Sequence, residues 1–184
     1  MDKLEIGFKY CHENARQLIE DAKLLFKHKK YPRAVALAII ALEEYGKAEL
    51  LIQLASGPIT KEDLDIFIKE TFYSHYEKQK AGCKEEFLRT MKGKTDIWYQ
   101  ISNNPKFFES KKWSSLYVSI DRGLNFKTPS VMTEKIAKDY IAFVARKIYE
   151  LTIDEALGSL TEMREIYLAY QEEIRLSNKN GHLS

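Results

Sequence analysis

The chain combines amphipathic stretches of helical periodicity with one stretch that is apolar on every side. Residues 34–54 begin with nine consecutive apolar residues and read AVALAIIALEEYGKAELLIQL. A helix that is apolar all round is normally buried at the centre of a protein, so this stretch predicts the central helix of the fold. Glu43, Glu44 and Lys47 carry charge into that interior or to its rim. Because buried charges are costly unless they are paired or do chemical work, these side chains are candidates for a functional site.

Amphipathic stretches on both sides of the central helix predict the helices that cover it. Residues 3–29 place apolar side chains at alternating spacings of four and three, which is the pattern of one helix face. Basic residues end this helix, and Pro32 suits the first turn of the central one. Thr60 is placed to cap a third helix, which we expect to reach about Thr90 with an interruption near Gly82.

The periodicity fades in residues 91–129, where Gly, Asn and Pro interrupt the apolar pattern. We expect irregular structure there, with a short helix from Pro105 to Trp113. A fourth long helix follows, and a fifth precedes a polar tail. Their alternative first residues are Thr128 or Thr133 for the fourth, and Asp154 or Ser159 for the fifth. The patterns together predict an all-α bundle of about five helices, in a single domain of residues 1–184, with an irregular excursion around residues 91–129.

Charge and cysteine content exclude several classes of protein. The net charge of +2 gives no global basic field of the kind that marks a strong nucleic-acid binder. Cys11 and Cys83 form neither a disulfide nor a metal pattern, as expected in a reducing compartment. The N-terminus is charged, unlike a signal peptide, and the longest apolar run is too short to span a membrane. We therefore expect a cytoplasmic protein without membrane contact, metal or other cofactor.

Helical spacing indicates a second set of polar side chains beside the central helix. His75 and Lys78 are three residues apart and share one face of the third helix. Antiparallel packing would place them opposite Glu44 and Lys47. Such a set can act without a metal, since His75 or Glu44 can take a proton from a ribose 2′-hydroxyl while the lysines offset charge on a phosphate. The same residues equally fit an internal ion-pair network, and the spacing leaves both interpretations open.

Two other segments carry candidate binding residues. Tyr117 and Arg122 leave the irregular segment together, and an arginine is a suitable fork for phosphate or carboxylate. The aromatic residues around them indicate that this segment folds onto the bundle or meets a partner. The basic stretch 23–33 is either a solvated helix end or a phosphate-contact patch.

The motifs that carry these residues resemble a known family. Residues 41–48, ALEEYGKA, resemble the A-L-E-E-x-G-K-A signature of AbiV-type abortive infection proteins. His75 and Lys78 resemble the H-x-x-K of that family, and residues 116–118 with Pro129 resemble its L-Y-V segment and downstream proline. The family is similar to the HEPN superfamily of helical bundles, many of which are dimeric ribonucleases. The resemblance implies a HEPN-like, toxin-like antiphage protein that halts growth or translation of the infected cell.

The resemblance also implies partners and site residues. The expected partners are a second copy of the chain, RNA, and a phage-encoded or antitoxin protein. HEPN ribonucleases typically carry Arg followed by His after four to six residues, late in the bundle. The predicted fourth and fifth helices contain no His, and the single pair at this spacing, Arg175 and His182, ends in the polar tail. Two hypotheses follow: a metal-independent endoribonuclease, or a non-catalytic RNA- or protein-binding module that acts through a partner surface. The predicted site comprises catalytic Glu44, Lys47, His75 and Lys78, with Glu43, Tyr117 and Arg122 in binding.

Overall fold

The computed structural model describes residues 3–55, 60–83, 105–120, 122, 124–129, 132–155 and 165. We number its helices in chain order. They are α1 (Lys3–Lys27), α2 (Tyr31–Ala55), α3 (Lys61–Ile66), α4 (His75–Gly82), α5 (Pro105–Leu116) and α6 (Glu134–Glu155). A π-helical segment, Phe67–Phe72, follows α3. The all-α prediction is confirmed.

A minimal hairpin joins α5 to α6. Strands β1 (Ser119–Ile120) and β2 (Phe126–Lys127) pair antiparallel, with Ser119 opposite Lys127 and Ile120 opposite Phe126. Within the predicted irregular segment, α5 runs slightly beyond its expected end at Trp113, and residues 91–104 lie outside the described part of the chain. Residues 116–120, LYVSI, are a strand-like run of that segment, and two of them, Ser119 and Ile120, pair with the second strand.

Helix α2 is the central helix, as its apolar sequence predicts. It packs against α1, α4, α5 and α6. Alanines supply much of its buried surface, and because they are small the neighbouring helices can approach closely. The fully buried alanines of α2 are Ala34, Ala36, Ala38, Ala41 and Ala48. Glu43 lies among these buried positions, in the middle of the helix.

A tight turn joins α1 to α2 and makes the two helices a hairpin. Lys29 has φ of 58°, so it occupies the left-handed region. Its N–H donates to the carbonyl of Phe26 at 2.9 Å, and the N–H of Lys30 donates to the carbonyl of Leu25 at 2.9 Å. This is the Schellman arrangement, formed here with lysine at the position where glycine is usual. The predicted apolar stripe of α1 faces the core, with Phe8 and Ala15 buried.

The predicted third helix is broken earlier than expected. Thr60 caps α3 as predicted, since its side chain accepts from the N–H of Asp63 in a capping box. An interruption at Tyr73 and Ser74 was not predicted, whereas α4 ends at Gly82, where an interruption was expected. Ser74 has extended backbone angles and accepts from the N–H of Glu77, which starts α4 as a separate helix. The expected continuation after residue 83 lies outside the described residues.

Helix α6 starts at the second of its two predicted positions. The side chain of Thr133 accepts from the N–H of Ile136 at 3.3 Å and so caps the first turn. The helix continues through Asp154 to Glu155, so the predicted helix start at Asp154 was wrong. No Gly or Pro interrupts residues 134–155. The alternative start at Ser159 lies outside the described residues.

Candidate functional site

A buried carboxylate at the centre of α2 collects hydrogen bonds from two other helices. Glu43 is 4% exposed. Its side chain accepts from Nδ1 of His75 at 2.8 Å, from Nε2 of Gln79 at 2.7 Å and from Nζ of Lys112 at 2.6 Å. Nζ of Lys78 lies 3.9 Å away. We refer to these five residues as the Glu43 cluster.

Two glycines allow α4 to approach α2 closely enough to form the cluster. A Cβ at Gly46 would lie 1.8 Å from the carbonyl oxygen of Lys78. A Cβ at Gly82 would lie 2.9 Å from a side-chain carbon of Leu42 and 3.0 Å from its carbonyl oxygen. Both positions therefore require a residue without a side chain. The close approach sets the Lys78 region of α4 directly against Glu43.

Helix α5 brings the lysine that makes the shortest contact with Glu43. Its Phe108 is fully buried and packs against Tyr140 and Phe143 of α6, with ring centroids 5.9 and 6.3 Å apart. This anchor places Lys112, one turn further along α5, over α2. Lys112 is itself 4% exposed, so its ammonium group is almost wholly removed from water.

The protonation state of Glu43 follows from the balance between burial and its donors. Burial acts to raise the pKa of Glu43, but the hydrogen bonds from Lys112, Gln79 and His75 outweigh burial and hold its pKa below the usual value. The carboxylate is therefore ionised and can only accept hydrogen bonds. It follows that Nδ1 of His75 carries the proton. Nζ of Lys112 lies 3.2 Å from Nδ1 of His75. The two nitrogens are this close because both donate to the carboxylate of Glu43.

His75 is the member of the cluster that solvent reaches. Its side chain is 45% exposed, whereas that of Glu43 is 5% exposed. With Nδ1 held by Glu43, Nε2 is the nitrogen with a free lone pair, on the side of the ring away from the carboxylate. The arrangement fixes the tautomer and orientation of the imidazole and leaves Nε2 on the edge of the ring away from Glu43.

Lys78 completes a local excess of positive charge. Its side chain is 7% exposed, and burial lowers its pKa below the usual value, partly opposed by the nearby carboxylate of Glu43. Lys78 and Lys112 thus share one carboxylate. Two ammonium groups around a single carboxylate favour an anion at the exposed edge of the cluster.

Glu44 and Lys47 form a neighbouring but separate pair. Nζ of Lys47 donates to Glu44 at 2.6 Å, and both side chains are less than one-fifth exposed. The same ammonium group lies 5.4 Å from the ring centroid of Phe72. The structure therefore brings His75 and Lys78 to α2, but to Glu43 rather than to Glu44 as expected. The two glutamates are one residue apart, and this turns them by about 100° around the helix.

The predicted binding residues other than Glu43 lie outside the cluster. Tyr117 is 56% exposed and stacks on Trp113, with ring centroids 5.3 Å apart. Arg122 is exposed in the turn between β1 and β2. Neither is among the described donors to Glu43. They remain candidates for a partner surface rather than parts of the same site.

Sequence reasoning missed two members of the cluster, Gln79 and Lys112. Gln79 is four residues after His75, so helical spacing already placed both on one face of α4. Lys112 carried no such signal, because nothing local indicates that its segment crosses the central helix. Only tertiary packing shows this lysine to be a partner of Glu43.

Two further features concern the described residues as a whole. Among them, no three His, Cys, Asp or Glu side chains come together as a metal site would need. Within that part of the chain, no helix combines the length and apolar character needed to cross a membrane.

Comparison with protein families assigns this architecture first to a class and then to a family. A HEPN family model matches residues 3–150, which include all the described helices except the end of α6. The all-α bundle with its charged central helix is therefore a HEPN-type protein. The matching model is that of AbiV, and the chain belongs to the AbiV family of HEPN proteins. Membership implies a function of the abortive-infection type. No curated protein and no solved structure gives a match to the chain.

Proposed function

We propose that this protein is a toxin-like antiphage protein that cleaves RNA without a metal, with His75 as the general base. The observation that carries the proposal is an imidazole 45% exposed whose Nδ1 is held at 2.8 Å by a buried carboxylate. Glu43 orients the ring and stabilises the imidazolium ion that forms when Nε2 takes a proton. This is the role of the carboxylate in a carboxylate–histidine pair.

The reaction requires no group that the chain lacks. Nε2 of His75 takes the proton of a ribose 2′-hydroxyl, and the 2′-oxygen attacks the adjacent phosphorus. The bond to the 5′-oxygen breaks, that oxygen takes a proton from water, and a 2′,3′-cyclic phosphate remains. The imidazolium of His75 then returns its proton to water, which restores the neutral base. The positive field of Lys78 and Lys112 offsets the charge that builds on the phosphate oxygens. Lys47, one-fifth exposed beside Glu44, is placed to add to this field.

Cleavage of cellular RNA accounts for the abortive-infection character of the family. Loss of tRNA or mRNA halts translation, and growth of the infected cell stops before phage multiply. The Glu43 cluster would take the place of the Arg and His pair that HEPN ribonucleases typically carry late in the bundle. The catalytic group is then on α4 rather than late in the bundle.

The test compares two histidine variants. Purified protein is incubated with total RNA or tRNA in EDTA, and the fragments are resolved on a gel. We expect His75→Ala to lower the cleavage rate by about 10²-fold or more, the usual contribution of a general base. His28→Ala is the matched control, because His28 is exposed in the α1–α2 turn. Identical RNA profiles for wild type and His75→Ala, with both folded, would show the proposal to be wrong.

A second candidate is a non-catalytic binding module, favoured by exposed aromatic and apolar side chains at the end of α5. These are Trp113, Leu116, Tyr117 and Val118, each more than one-third exposed. In this case the Glu43 cluster is structural, and a partner covers the α5 end. Trp113→Ala with Tyr117→Ala would then abolish phage protection, while His75→Ala would retain it. The ribonuclease proposal requires protection to be lost in His75→Ala.

We also propose a homodimer acting in the cytoplasm, neutralised or triggered by an antitoxin or a phage-encoded protein. Support comes from the family and from apolar side chains left exposed after α2. Leu64, Ile66 and Ile68 are 38–48% exposed on α3 and the π-helical segment. Such a surface is typical of an interface between protein chains. Light scattering that shows a monomer at micromolar concentration would contradict the dimer.

A further inference from the structure

A second feature of the bundle is an open cleft where the α1–α2 turn meets the end of α5. Its volume is about 450 Å³. One wall is formed by the turn and the first residues of α2, and the other by α5 and the segment after β2. The lining residues are Lys29, Lys30, Pro32, Arg33, Ser115, Leu116, Thr128 and Pro129.

The charged side chains described in the lining of the cleft are all positive. Lys29, Lys30 and Arg33 contribute three cations, and no carboxylate occurs among its described lining residues. An open cleft at α3 differs in this respect. There Lys61 and Lys69 alternate with Glu62, Asp65 and Glu70. A concave surface with one sign of charge raises the local concentration of oppositely charged ligands, so the first cleft selects for anions and the second does not.

Ser115 adds a buried polar group that has no partner among the described residues. The residue is 1% exposed, and its hydroxyl makes no hydrogen bond within that part of the chain. A buried hydroxyl that is not hydrogen-bonded costs free energy, and almost all such groups in proteins are paired. Since Ser115 lines the cleft, an anion bound there would supply the missing acceptor. The hydroxyl thus points to a ligand independently of the surface charges.

The start of α2 lies on one wall of the cleft and also favours an anion there. The N–H of Ala34 donates to the carbonyl of Lys30 at 3.0 Å, which is the first bond of this turn. The N–H groups of Tyr31 and Arg33 precede this bond, whereas Pro32 has no N–H, and the N-terminus of a helix carries partial positive charge. Helix α2 is 25 residues long. Helix N-termini of this kind bind phosphate in many proteins.

We propose that this cleft, formed by Lys29, Lys30, Arg33 and Ser115, is a phosphate-binding site. Its ligand is the phosphate group of a nucleotide, either in an RNA backbone or free. The guanidinium of Arg33 provides the planar fork that suits phosphate oxygens. The site is separate from the Glu43 cluster, so the inference does not depend on cleavage by His75. If both hold, the cleft positions RNA while the cluster cuts it.

Two charge-matched variants test the site by binding rather than by cleavage. Inorganic phosphate is added at fixed ionic strength and the melting temperature is followed, since a ligand of the native state stabilises it. Binding of fluorescein-labelled single-stranded RNA is measured by anisotropy. We expect Lys30→Gln with Arg33→Gln to remove the phosphate-induced shift and to weaken RNA binding by about tenfold or more. Lys61→Gln with Lys69→Gln, which removes the same charge from the mixed cleft, should behave as wild type.

Ser115→Ala tests the site without changing the charge of the cleft. The variant should fold with unchanged or higher stability, because it removes an unpaired buried hydroxyl, yet it should bind phosphate several-fold more weakly. A phosphate shift without RNA binding identifies a free nucleotide as the source of the phosphate, and RNA binding lost in the Lys30/Arg33 variant identifies a polymer. Both outcomes support the site. Wild-type protein that binds neither probe, or variants that bind both as wild type does, would overturn it.

Discussion

At the scale of single residues, the Glu43 cluster is held together by one carboxylate. Glu43 is the common partner of Lys78 and Lys112, and both lysines are 5% exposed or less. Taking two ammonium groups out of water is costly, and their attraction to a hydrogen-bonded carboxylate offsets much of that cost. Loss of Glu43 would therefore remove the shared partner of both lysines, whereas loss of any one donor would leave the carboxylate with its other donors.

We predict that Glu43→Ala destabilises the fold by about 3–5 kcal/mol, because it leaves two buried ammonium groups without their carboxylate. The measurement is urea unfolding followed by circular dichroism. Glu44→Ala is the matched control on the next residue. Its partner Lys47 is a single lysine whose side chain is 19% exposed, so the loss should be clearly smaller. Equal losses for the two variants would show that Glu43 is not the centre of the network.

The same carboxylate makes stability depend on pH in a defined direction. Burial acts to raise the pKa of Glu43, but its donors lower it overall below the usual 4.5. The unfolded chain therefore takes up this proton first as pH falls. The stability that ionised Glu43 contributes is present above about 4.5 and is lost as pH falls through its lower folded pKa. In Glu43→Gln, this part of the acid dependence should be absent, as measured by the difference between the two unfolding curves across pH 2–6.

At the scale of helices, the site is produced by the close crossing of α2 and α4. Position 46 faces the backbone of Lys78, and position 82 faces Leu42. Backbone cannot move aside as a flexible side chain can, so the crossing tolerates no added atom at position 46. The crossing decides where the donors from α4 reach Glu43.

We predict that Gly46→Ala destabilises the protein by about 2 kcal/mol or more, despite the better helix propensity of alanine. The new Cβ would lie 1.8 Å from the carbonyl oxygen of Lys78, so α4 must move away from α2. Gly7→Ala in α1 is the matched control. There the nearest atom is the end of a flexible side chain, that of Leu51, at 3.3 Å, and the gain in propensity of about 1 kcal/mol should make it neutral or stabilising.

The Gly46→Ala variant also tests whether the position of α4 matters for the Glu43 cluster. Because α4 carries Lys78 and Gln79, its displacement should weaken the hydrogen bonds to Glu43 and lower the activity of any protein that remains folded. Thermal unfolding of both glycine variants is the first measurement. A Gly46→Ala protein as stable as wild type would show that the two helices are not in contact at this point.

At the scale of the whole molecule, burial is distributed unevenly among the elements. Helices α1, α2 and α6 supply most of the described hydrophobic core. In contrast, α3 and the π-helical segment contain no buried residue. A segment with few buried contacts opens at a lower free energy than the core does. The α3 segment is therefore the part of the described fold that we expect to open first.

We predict that backbone amides of residues 61–72 exchange with solvent much faster than those in the middle of α2. The reason is that opening this segment exposes little apolar surface, whereas opening α2 disrupts contacts with four other helices. Native-state hydrogen exchange with mass spectrometry measures both regions in one sample. Equal protection from exchange in residues 61–72 and in the middle of α2 would mean that the surface of residues 61–72 is covered. A dilution series would then show whether a second copy of the chain covers it.

The local sequence was sufficient to predict the elements that depend on periodicity and capping. Residues 34–54 are apolar all round, and this alone indicated a buried central helix with charge inside it. Thr60 and Thr133 start helices through their own hydroxyl groups, which is a local interaction. The break at Ser74 was missed because the aromatic pattern on both sides continues through it. A single side-chain cap is a weaker signal than a run of apolar residues.

By itself, the sequence determined the all-α class and the central helix, and it indicated that His75 and Lys78 face the charged residues of that helix. Which carboxylate they meet was decided by the tertiary structure, because the one-residue choice between Glu43 and Glu44 depends on the rotation of α2 against α4. The role of Lys112 was also decided there, since α5 crosses the central helix only after Phe108 is buried against α6. Helical periodicity acts within a single element, whereas the partner of a buried charge is set by packing between elements.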